Sequence, residues 1–204
     1  EFTITDTAEI QKVEMKDDVP IGRIIINKKG EFLSEVSWND MVAGAMDSIW
    51  GYVTGSLKDV TFEIYAREDI KAADGESDEY YKKDELVATI KTDELGIART
   101  DDLPLGKYYV VEKETDDGFV LDGEPRDIDL TYRDQDTPVV TFDSEWQNSR
   151  QKAKVIVTKK EKDSYRVLEG GVFALCAKED IKNTDGDVLV KADTIMEQKA
   201  TDKD

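Results

Sequence analysis

The fold class this sequence predicts is all-β, an antiparallel β-sandwich with one inserted amphipathic helix, set in tandem copies of which the flanking ones are incomplete. Three observations lead there. Short runs of β-branched and aromatic residues recur between clusters of Gly, Pro, Asn and Asp, the pattern of many short strands. One stretch, residues 37–57, breaks that rhythm with apolar residues at three-and-four spacing, the period of a helix. Two segments late in the chain restate two early ones, the mark of a repeat architecture.

Taken in order, residues 1–20 read EFTITDTAEIQKVEMKDDVP. The alternating runs FTIT and EIQKVEM are two strands joined by polar turn residues. Pro20 and Gly22 punctuate before RIIINKK (23–29), a β-branched strand closed by Gly30. Trp38, Met41, Val42, Ala45, Met46, Ile49, Trp50, Val53 and Leu57 then form the helical stripe, capped by Ser37 or Asn39 and weakened by Gly51 and Gly55. Its polar face lacks the Lys and Arg of a membrane-surface helix. The stripe is therefore expected to bury Trp38, Met41, Met46, Ile49 and Trp50 against its own domain, since an exposed patch of that size is rarely tolerated.

VTFEIYAR (60–67) is the next strand, residues 71–85 are an exposed polar connection, and ELVATIKT (85–92) is a strand. Residues 93–102 are mostly turn, broken at Gly96. LPLG follows, in which Pro104 fixes φ and Gly106 admits a positive one, so a strand begins at Lys107. DIDLTY (127–132) and PVVTFDSEWQN (138–148) complete the sandwich.

The repeat sets the boundaries. KVIVTKK (154–160) restates RIIINKK, and FALCAKEDIKNTDG (173–186) restates FEIYAREDIKAADG (62–75). The second copy lacks the helical insertion, because Lys159 precedes Phe173 by 14 positions and Lys28 precedes Phe62 by 34. Asp17 precedes Lys28 by 11 positions, as Asn148 precedes Lys159. Residues 1–18 are thus expected to be the terminal strands of a preceding repeat, 19–150 a complete domain and 151–204 the first part of a following one. Half-domains leave open sheet edges, so the ends are expected to fray or to pair head to tail between chains.

Composition excludes several functions. With 28 Lys and Arg against 47 Asp and Glu, the formal charge of −19 repels nucleic acid and anionic membrane. The absence of histidine removes the commonest general base and transition-metal ligand. No metal or cofactor is expected: the acidic segments at 77–79 and 183–187 lack the ligand spacing of a calcium loop. One cysteine, Cys176, rules out an internal disulfide and sits in the apolar run VFALCA, where a buried structural thiol is expected. Neither a run of eighteen apolar residues nor a signal peptide is present.

The chemistry centres on residues 103–119, LPLGKYYVVEKETDDGF. Strand alternation puts Tyr108, Val110 and Glu112 on one face. An acid following two large apolar residues inward is neutral, paired or at work, because an unpaired buried carboxylate costs several kcal/mol. Lys28 near the end of the first strand and Asn148 at the end of the last stand out by repeat position. Alternation separates Lys28 from its rival Lys29, and Lys159 occupies the position of Lys28 in the second copy. The contrary reading makes Lys28 an exposed strand-end lysine and Asn148 a turn residue.

GRIIINK, DVTFEIYA, DDLPLGKYYVVE, DGF and the terminal WQN together resemble the collagen-adhesin B-type domain of Gram-positive surface proteins, also called the SpaA-like or prealbumin-like pilin domain, an Ig-like sandwich. The resemblance spans the complete domain and both partial ones. It implies a spontaneous intramolecular isopeptide bond with Lys28 as nucleophile, Asn148 as electrophile and Glu112 as the acid that relays the proton. It also implies that Asp17 and Lys159 hold the equivalent positions in the partial repeats, each without its partners here. The KETDD sequence that follows Glu112 departs from the Thr-x-Ala-Pro often found in the family.

Three functional classes follow. A structural stalk repeat of an extracellular, cell-wall-anchored adhesin or pilin, with neighbouring repeats as its partners, is expected first. A module that binds a host or cell-surface ligand through the inserted helix or loops comes second. An enzyme comes last: beyond the single-turnover crosslink, no enzymatic activity is expected.

Overall fold

The computed structural model of the chain describes residues 19–42, 45–72 and 79–203, with backbone alone at 40–42, 45 and 46. The strands are β1 (Ile21–Val42), β2 (Ala45–Ser56), β3 (Thr61–Ala66), β4 (Ile70–Lys71), β5 (Glu79–Tyr81), β6 (Leu86–Lys91), β7 (Ile97–Arg99), β8 (Leu103–Pro104), β9 (Lys107–Glu114), β10 (Arg126–Asp129), β11 (Val139–Asn148), β12 (Val172–Cys176), β13 (Ile181–Lys182), β14 (Val188–Val190) and β15 (Ile195–Ala200). One sheet runs β11-β1-β2-β15-β12, with β7 and β8 also on β1, and a second runs β10-β9-β3-β6. The fold is the expected all-β sandwich, with one departure in direction: β1 and β11 pair in parallel, from Ile21 opposite Val139 to Gly30 opposite Asn148.

The core follows from alternation. Ile24 and Ile26 of β1, Phe62 and Ile64 of β3, Tyr108 and Val110 of β9, Ile128 of β10 and Val140 of β11 are at most 2% exposed. Each such side chain contributes about 1.5–3 kcal/mol by leaving water. Phe62 meets Trp146 edge to face, with ring centroids 5.5 Å apart.

The inserted helix is a correction. Residues 37–42 and 45–56 are strand: β1 runs on past Gly30 and β2 pairs back on it, with Val36 opposite Trp50 and Ser37 opposite Ile49. The residues that make the stripe explain why. Val, Ile and Trp suit a pleated surface better than a helix, and Gly51 and Gly55 cost about 1 kcal/mol each in a helix. In the hairpin Gly51 has a use, since a Cβ there would lie 2.5 Å from the Glu35 side chain. A register shift between Asn39 and Val42 offsets the alternation, and two strands read in series across such a shift imitate helical spacing. Trp38 and Ile49, expected to be buried, are 39% and 49% exposed, while Trp50 is half-buried. The side chains of Met41 and Met46 lie outside the described residues, as do residues 1–18 with Asp17, and 73–78.

The C-terminal segment repeats the hydrogen bonds of the central sandwich. Leu57 N donates to Lys28 O as Leu168 N does to Lys159 O, both at 2.9 Å. Thr92 and Thr201 each donate a hydroxyl, to Leu57 O and Leu168 O. Asp84 and Asp193 share a φ of 63°. Two expectations fail there. Residues 154–159 form no strand, and Val155, Ile156 and Val157 are 65%, 77% and 48% exposed; unlike β1, which β11 flanks, this run meets no partner strand among the described residues. Cys176 is exposed rather than buried, because all five residues of β12 lie uncovered.

Candidate functional site

In β1, Ile24, Ile26 and Lys28 point inward; in β9, Tyr108, Val110 and Glu112; in β11, Val140, Trp146 and Asn148. Each inward row thus ends in one polar residue, all three at the same end of the sandwich. Lys28, Glu112 and Asn148 are 1%, 3% and 1% exposed. Lys29, the rival amine, faces outward, its Nζ 3.5 Å from Ser56 Oγ.

The three form a closed ring of hydrogen bonds. Lys28 Nζ donates to Glu112 Oε2 at 2.6 Å and to Asn148 Oδ1 at 2.7 Å. Asn148 Nδ2 donates to Glu112 Oε1 at 2.5 Å and to Thr115 Oγ1 at 3.0 Å. The Phe62 ring lies under the amine, its centroid 5.8 Å from Nζ. Arg126 stacks on Trp146 at 4.5 Å and pairs with Asp122, placing a charged pair just outside the apolar wall.

The backbone fixes the nucleophile's strand. Lys28 N donates to Gly96 O at 2.7 Å and Lys28 O accepts from Leu57 N. Gly96 has a φ of +74°, and a Cβ there would lie 2.5 Å from Lys28 O, so only glycine fits this close approach. The end of the sandwich is closed by Phe119, which meets Phe32 edge to face at 5.3 Å and pairs by a backbone bridge with Arg150.

Burial pushes the Lys28 amine below the ordinary lysine value of 10.5, against the opposing hydrogen bond and charge of Glu112. A lysine so placed has access to its neutral, nucleophilic form. The carbonyl carbon of Asn148 is one bond beyond the oxygen that Nζ touches, and the Glu112 carboxyl bridges the Lys28 and Asn148 side-chain nitrogens. The site therefore brings an amine, an amide and a carboxyl into mutual hydrogen-bond contact.

Lys159 is exposed, with neither an acid nor an amide at its Nζ among the described contacts, and Asp17 lies outside the described residues. Thr115 was missed by sequence reasoning. It sits in the KETDD stretch, noted in the sequence only for its departure from Thr-x-Ala-Pro, and no spacing rule marks a hydroxyl three residues beyond the acid.

Residues 52–146 match the family model SpaA, described as a prealbumin-like fold domain. A search of curated protein sequences finds no relative. Among solved structures, the chain is similar to GBS52, the minor pilin of Streptococcus agalactiae, at 15% identity over 70% of this chain and 50% of that one, with a TM-score of 0.42. It is also similar to the shaft pilin SpaA of Lactobacillus rhamnosus GG (19%, 81% and 60%, 0.38). A third is the major pilin SpaA of Corynebacterium diphtheriae (17%, 64% and 31%, 0.40), whose structure is described as pointing to a modular pilus assembly stabilizing isopeptide bonds. The chain spans between about a third and three fifths of these pilins.

Proposed function

We propose that residues 19–150 are one repeat of a Gram-positive cell-surface stalk, of a pilin or adhesin, locked by an isopeptide bond between Lys28 and Asn148. The observation that carries this reading is the closed, buried ring of Lys28, Glu112 and Asn148. The neutral amine attacks the Asn148 carbonyl carbon, and Glu112 takes the proton from Nζ and delivers it to Nδ2. The C–N bond to Nδ2 breaks, ammonia leaves, and a secondary amide remains. The reaction occurs once per chain and turns over no substrate. The recurring hydrogen bonds of the C-terminal segment support a tandem array, in which neighbouring repeats are the partners and the setting is extracellular, on a protein anchored to the cell wall.

Intact mass tests the bond. The purified chain is expected to fall short of its sequence mass by one ammonia, and Lys28→Met and Glu112→Ala to have their full masses. A parent chain of full mass refutes the crosslink. The alternative, a module that binds a ligand through the inserted stretch or the loops, would use the β1–β2 hairpin in place of a helix.

A further inference from the structure

The hairpin of β1 and β2 outgrows the sandwich that carries it, and it is what the second copy lacks. We propose that this arm is a clamp that fixes the orientation of the C-terminal segment against the central sandwich. The interaction surface is the Val36–Trp50 face of the arm, and its partner is the β13–β15 region of the same chain.

Four observations carry the proposal. The arm joins the two bodies in one sheet, since β2 lies between β1 and β15, with Gln198 paired antiparallel to Met46. Val36 and Trp50, opposite each other in the hairpin, pack with Ile181 and Leu189 against the buried cluster of Ala177, Val190 and Met196. In the outer part of the arm burial favours that face: Trp50 is half-buried, whereas Ile49 and Val53, at odd spacing from it on the same strand, are 49% and 54% exposed. Lys199 reaches Asp47 of the arm at 3.4 Å.

The covalent connection cannot supply this constraint. Residues 153–158 are exposed and form no strand, and an extended connection of this kind leaves rotation free. A second, non-covalent attachment removes that freedom, because two bodies joined at two separated points no longer swivel. β15 without the arm would show an open edge, and strand addition is the usual means of closing one. The contact is small, so it orients the segment without replacing the connection.

The clamp does not depend on the crosslink, and intact mass reads the latter separately. The test is a distance distribution in the full chain by pulsed electron resonance, with one spin label on Cys176, exposed in β12, and one on Thr89→Cys, exposed in β6. The parent is expected to give one narrow population. Val36→Ser with Trp50→Ser is expected to broaden it at least threefold, and Trp50→Phe to keep it narrow. In a second variant, residues 29–56 are replaced by residues 160–167, the short connection of the second copy. That connection carries the same bond from the following leucine to the lysine carbonyl, so the sandwich has a template for closing without the arm. This chain is expected to show the same broadening. A broad parent distribution, or a narrow one in either disruptive variant, overturns the clamp.

Discussion

At the scale of residues, the site is three polar side chains that terminate three apolar rows, and its behaviour follows from one lysine's burial. Because burial sets the folded pKa of Lys28 below 10.5, an uncrosslinked chain binds more protons unfolded than folded between the two values. Stability from this group therefore rises with pH through that window, and below the folded pKa the full cost of burying the ammonium is carried. Asn148→Ala, which cannot crosslink, is expected to gain stability toward pH 10 relative to Lys28→Met/Asn148→Ala in urea unfolding. The comparison stops there because Tyr108, whose pKa burial raises, costs stability above its ordinary value of 10. A difference that is flat, or that falls with pH, would contradict the assignment. Thr115 gives a second prediction. Its hydroxyl accepts from the leaving nitrogen of Asn148, so Thr115→Val is expected to slow crosslinking after refolding by roughly tenfold, the equivalent of one hydrogen bond, with the final mass unchanged. A time course of intact mass reads it. Glu112 was visible in the sequence because period-two alternation makes an acid at the end of an apolar row conspicuous, and Lys28 and Asn148 because the repeat marks their positions. Thr115 was not, because loop geometry leaves no periodic trace.

At the scale of elements, strand alternation was legible wherever a strand is buried on one face, as in β3 and β9, whose inward rows match the pattern residue for residue. It failed in the arm for a physical reason. The hairpin is only partly covered, it carries a register shift, and its apolar residues face two different environments, so no period of two survives in the text. The first strand of the second copy misled in the opposite way, since KVIVTKK has strand propensity yet lacks a neighbour, and pairing rather than propensity decides a strand. One turn ties the elements to the site. Gly96→Ala would place a Cβ 2.5 Å from Lys28 O in a left-handed conformation, costing about 1–2 kcal/mol for the conformation and more for displacing β1. Thermal unfolding of the variant in the Lys28→Met background is expected to show a loss of at least about 2 kcal/mol, and a loss near zero would mean that the turn does not anchor β1.

At the scale of the whole molecule, the parallel pairing of the first and last long strands of the sandwich decides how force passes through it. Tension applied at the ends of 19–150 enters β1 at Ile21 and leaves β11 beyond Asn148, so it pulls the two strands past each other along their whole register. The proposed Lys28–Asn148 bond would lie at the far end of that register and join residues 120 positions apart. With the bond in place, tension runs along residues 19–28, crosses to Asn148 and exits, and everything between the crosslinked residues is out of its path. Closing a loop of that length also stabilises the folded state by about 5 kcal/mol in the chain-entropy account, on the order of 15 °C in melting temperature for a domain of this size. Without it, the same pull unravels the intervening chain, which at about 3.3–3.6 Å per residue releases roughly 400 Å. Single-molecule stretching of the parent is therefore expected to show no step of that length from the central sandwich, and Lys28→Met to show one per molecule. A step of roughly 400 Å in a parent chain whose mass lacks one ammonia would place the crosslink elsewhere than between Lys28 and Asn148.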